Sequence, residues 1–283
     1  MPASLLAAAV TPLRDSGATL DVDAIGPMVA HLEAAGADGV FALGTTGEGV
    51  LLSEGERRRA TRAFREACRG RLIVHCGAQT TRSTAALAAA AAELGADAAA
   101  VIPPPYYPLD RDALTAHMIA VAEACSPLPL YLYAFAARSG YPLEPEVVER
   151  VRDRVGNIAG LKVSESPFER VEPYLRLGLP VYVGSEPLIP QALAAGAAGA
   201  VSGLAGALTA EVAAVVREPD ERGGRRLAEL RAVLERAPFV PSVKVALAAR
   251  GVSIQPDVRA PLQPLSPAQA EAVRTFVRSL DAA

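Results

Sequence analysis

The sequence predicts a closed (β/α)8 barrel carrying a helical extension at its C-terminal end. Eight short apolar runs alternate with eight longer segments of helical spacing, the pattern of repeated βα units. The runs are apolar on both faces, as strands of a fully covered parallel sheet are. An open doubly wound sheet would want a G-x-G-x-x-G turn after its first strand, and none is present. A chain of 283 residues that is 51% apolar can fill one such core, and no linker divides it.

In order, the predicted strands are residues 5–10, 39–43, 72–76, 98–102, 128–133, 158–163, 180–183 and 199–202. The helical segments between and after them are 22–35, 54–68, 83–94, 111–124, 145–155, 168–176, 188–195 and 210–217. Three of these end alike, as Ala35-Gly36-Ala37, Leu94-Gly95-Ala96 and Ala195-Gly196-Ala197, which puts glycine where a left-handed cap is needed. The next strand follows within a few residues, so the loops are short. Ser53-Glu54-Gly55-Glu56 offers a capping box, and Ser266-Pro267 a cap followed by a first-turn proline. Beyond Arg217 the spacing predicts helices at 225–236, 240–249 and 267–280, more than a barrel requires. The expected organisation is a barrel over residues 1–217 and an extension over 218–283 packed on it, with Pro219-Asp220 and Pro256-Asp257 marking breaks.

Composition excludes several function classes. A net charge of −3, with no basic run interleaved with aromatics, argues against nucleic acid. Cys68, Cys76 and Cys125 are odd in number and lack C-x-x-C spacing, which fits free thiols in a reducing cytoplasm. Met1 to Val10 is apolar but has no charged flank and is cut by Thr11-Pro12, so it reads as a first strand, not a signal peptide. The alanine-rich runs at 85–92 and 196–208 are interrupted before they could cross a bilayer.

Chemistry gathers at the C-terminal ends of the strands, where barrel active sites form. The sixth strand, Ile158-Ala159-Gly160-Leu161-Lys162-Val163, holds a lysine in an apolar run, and only Lys162 and Lys244 among the 28 basic residues are lysines. A buried amine finds a partner or gives up its proton, and the neutral form is a nucleophile that arginine cannot replace. The second strand runs into Gly44-Thr45-Thr46-Gly47-Glu48, the fourth into Pro105-Tyr106-Tyr107, the fifth into Tyr133, and the seventh into Gly184-Ser185-Glu186. Each alone has an ordinary reading: a lysine that snorkels to water, a core tyrosine, a turn, a solvated loop arginine at Arg138. Glu48 reads as a helix-entry or interface residue and Lys244 as a structural or interface lysine.

Together these stretches resemble the dihydrodipicolinate synthase / N-acetylneuraminate lyase family of Schiff-base aldolases. The similarity runs from Ala9-Val10-Thr11-Pro12-Leu13 to Arg259-Ala260-Pro261-Leu262, nearly the whole chain. The resemblance implies that Lys162 forms an imine with the keto carbon of pyruvate or another 2-keto acid and that Tyr133 moves protons. It further implies that Thr45 links Tyr133 to Tyr107 from a neighbouring subunit, and that the Thr45 and Thr46 backbone holds the pyruvate carboxylate. Arg138 matches the arginine used for a second substrate's carboxylate. Gly44, Gly184, Val201 and Ser202 complete the expected substrate-binding set. No organic or metal cofactor is called for, because the imine is itself the electron sink. A homotetramer of tight dimers is implied as well.

Departures from the family pattern bear on the substrate. The family's YNxP after the fifth strand reads Tyr133-Ala134-Phe135-Ala136 here, and the motif after the eighth strand, Ser202-Gly203-Leu204-Ala205-Gly206, has glycine where asparagine is common. Two reactions therefore stand: condensation of pyruvate with aspartate semialdehyde, as in 4-hydroxy-tetrahydrodipicolinate synthase, and release of pyruvate from a 2-keto-3-deoxy sugar acid or 4-hydroxy-2-oxoglutarate. A metal-dependent aldolase would need convergent ligands, and His31, His75 and His117 fall on a helix, a strand and a helix, with His31 and His117 directed to the outer layer. A barrel without catalysis, serving only to bind, is the remaining reading.

Overall fold

The computed structural model describes residues 3–281. Its strands are β1 (Ser4–Ala8), β2 (Leu13–Arg14), β3 (Thr19–Leu20), β4 (Gly39–Ala42), β5 (Arg71–His75), β6 (Ala98–Val101), β7 (Leu130–Ala134), β8 (Ile158–Val163), β9 (Val181–Val183) and β10 (Gly199–Ser202). Eight of them close into a parallel barrel in the order β1-β10-β9-β8-β7-β6-β5-β4, as expected. The two-residue strands β2 and β3 form a small antiparallel hairpin that the apolar pattern does not announce.

Side chains alternate across each strand, so the barrel divides its residues into two sets. Outward residues such as Leu5, Val40, Leu72, Leu132 and Val163 join the core beneath the surrounding helices. Inward residues, including Leu6, Phe41, Ile73, Tyr131, Tyr133, Tyr182 and Val201, form a second core inside the barrel. Near its N-terminal end Arg71 donates to the hydroxyls of Tyr131 at 2.8 Å and Tyr182 at 3.2 Å.

Helix boundaries follow local chemistry. Ser53 Oγ accepts from Glu56 N while the Glu56 carboxylate accepts from Ser53 N, completing the expected capping box of helix Glu54–Ala67. Gly36, Gly95 and Gly196 take φ values of +105°, +76° and +95°, the left-handed conformation anticipated at three helix ends. Two expectations change. The helix expected at 168–176 breaks into a 3-10 turn, Phe168–Arg170, and a single turn, Glu172–Leu175, because Pro173 withholds an N–H and restricts Glu172 before it. The helix expected from 225 begins at Glu221, capped by Asp220; Gly224 within it lies against Pro187 O and the Pro190 ring.

Helices Glu221–Leu234, Phe239–Ala249 and Pro267–Asp281 follow the barrel. Their firmest tie to it is an ion pair with both side chains fully buried, Lys244 Nζ to Glu48 Oε1 at 2.6 Å. Lys244 also donates to Asp257 O, and Arg259 N donates to Glu48 Oε2 at 2.7 Å. Glu48 is thus an internal anchor and enters no surface. Removing one partner strands a buried charge, so Lys244→Met should lower unfolding free energy by about 3–5 kcal/mol. The double variant Lys244→Met/Glu48→Gln should recover part of that loss, as read from urea denaturation.

Candidate active site

The mouth of the barrel opens into a cavity of about 500 Å³. Its floor is Lys162, whose register is set by direct pairing with Tyr133 on β7 and Tyr182 on β9. The side chain is only 5% exposed. Its Nζ lies 4.1 Å from the centroids of both the Phe41 and Tyr133 rings. No carboxylate pairs with it among the described residues. An amine so placed is enclosed by aromatic faces and reaches the cavity, where it can meet an electrophilic carbon.

The loop after β4 forms one wall. Leu43 and Glu48 bracket it in left-handed conformations, φ +60° and +55°. Thr11 Oγ1 donates to Gly47 O at 2.5 Å, and Lys244 holds Glu48 from behind. Thr45 and Thr46 face the cavity. Gly44 is buried beside Phe41, whose ring lies 2.6 Å from where a Cβ would stand. Gly184 likewise makes room for the Ser164 hydroxyl, 2.0 Å from its notional Cβ.

Of the residues singled out from sequence, Lys162, Tyr133, Thr45, Thr46, Arg138, Val201 and Gly184 line this cavity. Ser202 does not: it points outward from the barrel, donates to Glu186 Oε1 at 2.9 Å and accepts from Ala205 N at 3.0 Å. Tyr107 is 73% exposed and stacks edge-on against Tyr106, away from the cavity lining. Among the described residues no hydrogen bond joins Tyr133 to Thr45 or Tyr107.

Several lining residues carried no local sequence signal. Arg231, Glu235 and Phe239 from the C-terminal helices, with Leu262 and Gln263, close the far side. Gly203 lies close to this far side: a Cβ there would stand 3.2 Å from Phe239 and Thr46 Oγ1 and 3.4 Å from Arg231 Nη1.

The histidines are dispersed. His31 sits on an outer helix, and His117 Nδ1 shares a hydrogen bond with Thr81 Oγ1 at 2.8 Å. His75 points into the barrel, edge-on to Tyr133 with centroids 5.9 Å apart, and its Nδ1 contacts Leu43 O at 3.2 Å. Burial, reinforced by Arg57 and Lys162, pushes its pKa down to about 3.

A closed parallel barrel offering an enclosed amine and a tyrosine at its C-terminal mouth is the framework of a barrel enzyme. Residues 1–280 match the model of the dihydrodipicolinate synthetase family. The 4-hydroxy-tetrahydrodipicolinate synthase of Sorangium cellulosum is 34% identical over 287 residues, covering 97% of this chain and 95% of that protein. Dihydrodipicolinate synthase from Aquifex aeolicus superposes with a TM-score of 0.89 at 25% identity, covering 99% of this chain and 98% of that one. Proteus mirabilis N-acetylneuraminate lyase does so with 0.87 at 26%, covering 98% of each. The chain belongs to the dihydrodipicolinate synthetase family, whose members are class I lyases and aldolases.

The low pKa of His75 ties stability to acidity. Because the folded value lies below the unfolded one, near 6.5, protonation favours the unfolded chain. Stability should be full above about pH 6.5 and drain as pH falls toward 3. His75→Gln should flatten that dependence between pH 6 and 4 by up to about 1.4 kcal/mol per pH unit, measured by urea titration across pH.

Proposed function

We propose that the protein condenses pyruvate with aspartate semialdehyde through an imine on Lys162, in the manner of 4-hydroxy-tetrahydrodipicolinate synthase. The observation that carries this reading is the enclosed Lys162 amine, held between Phe41 and Tyr133 with no carboxylate partner among the described residues and facing the cavity. Its Nζ attacks the keto carbon of pyruvate, and the carbinolamine loses water to give an iminium. Loss of a methyl proton gives the enamine, whose carbon bonds to the aldehyde carbon while the aldehyde oxygen takes a proton. Water then adds to the iminium and releases Lys162.

Tyr133 is paired in register with Lys162 and is the hydroxyl that moves these protons. The N–H groups of Thr45 and Thr46 bind the pyruvate carboxylate, and Arg138 the carboxylate of the aldehyde. Gly44 and Gly184 permit the close packing of Phe41 and Ser164, Val201 adds an apolar wall, and Ser202 braces Glu186. Tyr107 is outside the cavity in a single chain, so a part for it in the relay requires a neighbouring subunit, as in the homotetramer of tight dimers that the family resemblance implies. Three buried free cysteines support a reducing, cytoplasmic setting. Among the described residues no helix is long and apolar enough to cross a membrane.

Release of pyruvate from a 2-keto-3-deoxy sugar acid or 4-hydroxy-2-oxoglutarate is the second reading. It is favoured by Phe135 in the cavity wall, followed at once by the short helix Ala136–Ser139, where the family's YNxP would run.

Pyruvate with sodium borohydride should fix a reduced adduct on Lys162, located by peptide mass spectrometry. Lys162→Arg should abolish the adduct while Lys244 stays unmodified. A wild-type protein that gains no mass would remove the imine mechanism. Tyr133→Phe should keep the fold but lower kcat by at least about a hundredfold, read from a coupled assay.

A further inference from the structure

Five charged side chains line the cavity: Lys162, Arg138, Arg231, Glu186 and Glu235. Lys162 is committed to the keto group. Glu186 is committed within the protein: its Oε1 accepts from Ser202 Oγ and Leu204 N, each at 2.9 Å, and Arg231 Nη1 lies 3.3 Å from both its oxygens. The Arg231 guanidinium also lies 3.6 Å from the Phe239 ring centroid. Its Nε and Nη2 both meet Glu235 on Oε1, at 2.8 Å. Glu235 Oε2 is left with no protein partner among the described residues. Arg138 likewise makes no ion pair among them, its guanidinium resting 5.8 Å from the Phe135 ring centroid. The cavity thus keeps one uncommitted cation and one uncommitted carboxylate oxygen.

Charge decides what fits. Glu186, Arg231 and Glu235 together carry a net charge of −1, so their side of the cavity repels a second anion and favours a cation. A 2-keto-3-deoxy sugar acid spends its only carboxylate beside the keto group and leaves Arg138 without a counterion, while 4-hydroxy-2-oxoglutarate offers Arg138 a second carboxylate but brings no cation to Glu235. A zwitterionic aldehyde satisfies both: a carboxylate for Arg138 and an ammonium for Glu235. Resting on the condensation reading above, we infer that Glu235 receives the ammonium of an aldehyde that carries an α-amino acid group, and that Arg231 is the positioning residue that fixes the Glu235 carboxylate. Selection for the amino group therefore resides in the C-terminal helices, while the imine chemistry resides on the barrel strands.

The test compares aspartate semialdehyde with succinate semialdehyde, which keeps the carboxylate and aldehyde but lacks the amino group. Glu235→Gln preserves shape and hydrogen bonding and removes the charge. Glu235 is half-exposed, so the effect is moderate: KM for aspartate semialdehyde should rise about tenfold. The inhibition constant of succinate semialdehyde, as a competing aldehyde, should change by less than about twofold. A thermal midpoint unchanged from wild type excludes misfolding as the cause. An unchanged KM, or an equal weakening of both aldehydes, overturns the inference. A wild-type protein that traps pyruvate on Lys162 but consumes no aspartate semialdehyde overturns instead the condensation reading beneath it.

Discussion

The parallel closure of the barrel is the constraint on which the rest depends. With every strand in one direction and a side-chain period of two, the register of one strand determines which residues of its neighbours face inward. Lys162 pairs with Tyr133 on one side and Tyr182 on the other, and all three face inward. A slip of one residue on β8 would send Lys162 under the helices and bring Leu161 or Val163 into the barrel. The inner and outer cores forbid that slip, because each is filled by its own half of the strand residues. Packing thereby holds an amine where an isolated strand would turn it to water.

The same closure accounts for the chemistry that surrounds the amine. Inward-facing aromatic residues fill the barrel around the amine, and the Phe41 and Tyr133 rings each lie 4.1 Å from Nζ. Gly44 is the counterpart of that approach, since any side chain there would collide with Phe41. The glycine that makes the loop after β4 look like a simple turn therefore leaves room for the Phe41 ring that packs on Lys162. His75, edge-on to Tyr133, is held toward its neutral form by burial in the barrel interior, with Arg57 and Lys162 adding to the effect.

Much of this was legible in the sequence because it is local. Eight strands, the glycine caps and the Ser53 capping box each follow from a few consecutive residues, and Lys162 stood out as a polar residue at an apolar strand position. The hairpin of β2 and β3 was not legible, because two-residue strands have no period to read. Ser202 lies next to Val201 in the chain but on the opposite face, and only the barrel register separates a cavity residue from a brace of Glu186. Arg231 and Glu235 were hidden for a different reason: on their own helix they look like an ordinary i,i+4 surface pair. Their place in the cavity arises from how that helix docks.

Docking also gives the buried Lys244–Glu48 pair its meaning. A well-packed apolar pair of similar size would be about as stable as a buried ion pair, so stability alone does not explain its presence. What an apolar pair lacks is donors and acceptors. Glu48 takes the N–H of Arg259, and Lys244 donates to the carbonyl of Asp257, so one pair satisfies two backbone groups of the segment after helix Phe239–Ala249. It also binds that segment to the residue that ends the Thr45–Thr46 loop. The helices that supply Arg231, Glu235 and Phe239 in front of the cavity are then positioned relative to the loop by hydrogen bonds behind it. Hydrogen bonds fix direction as well as distance, and a cavity shared between a loop and a distant helix needs both.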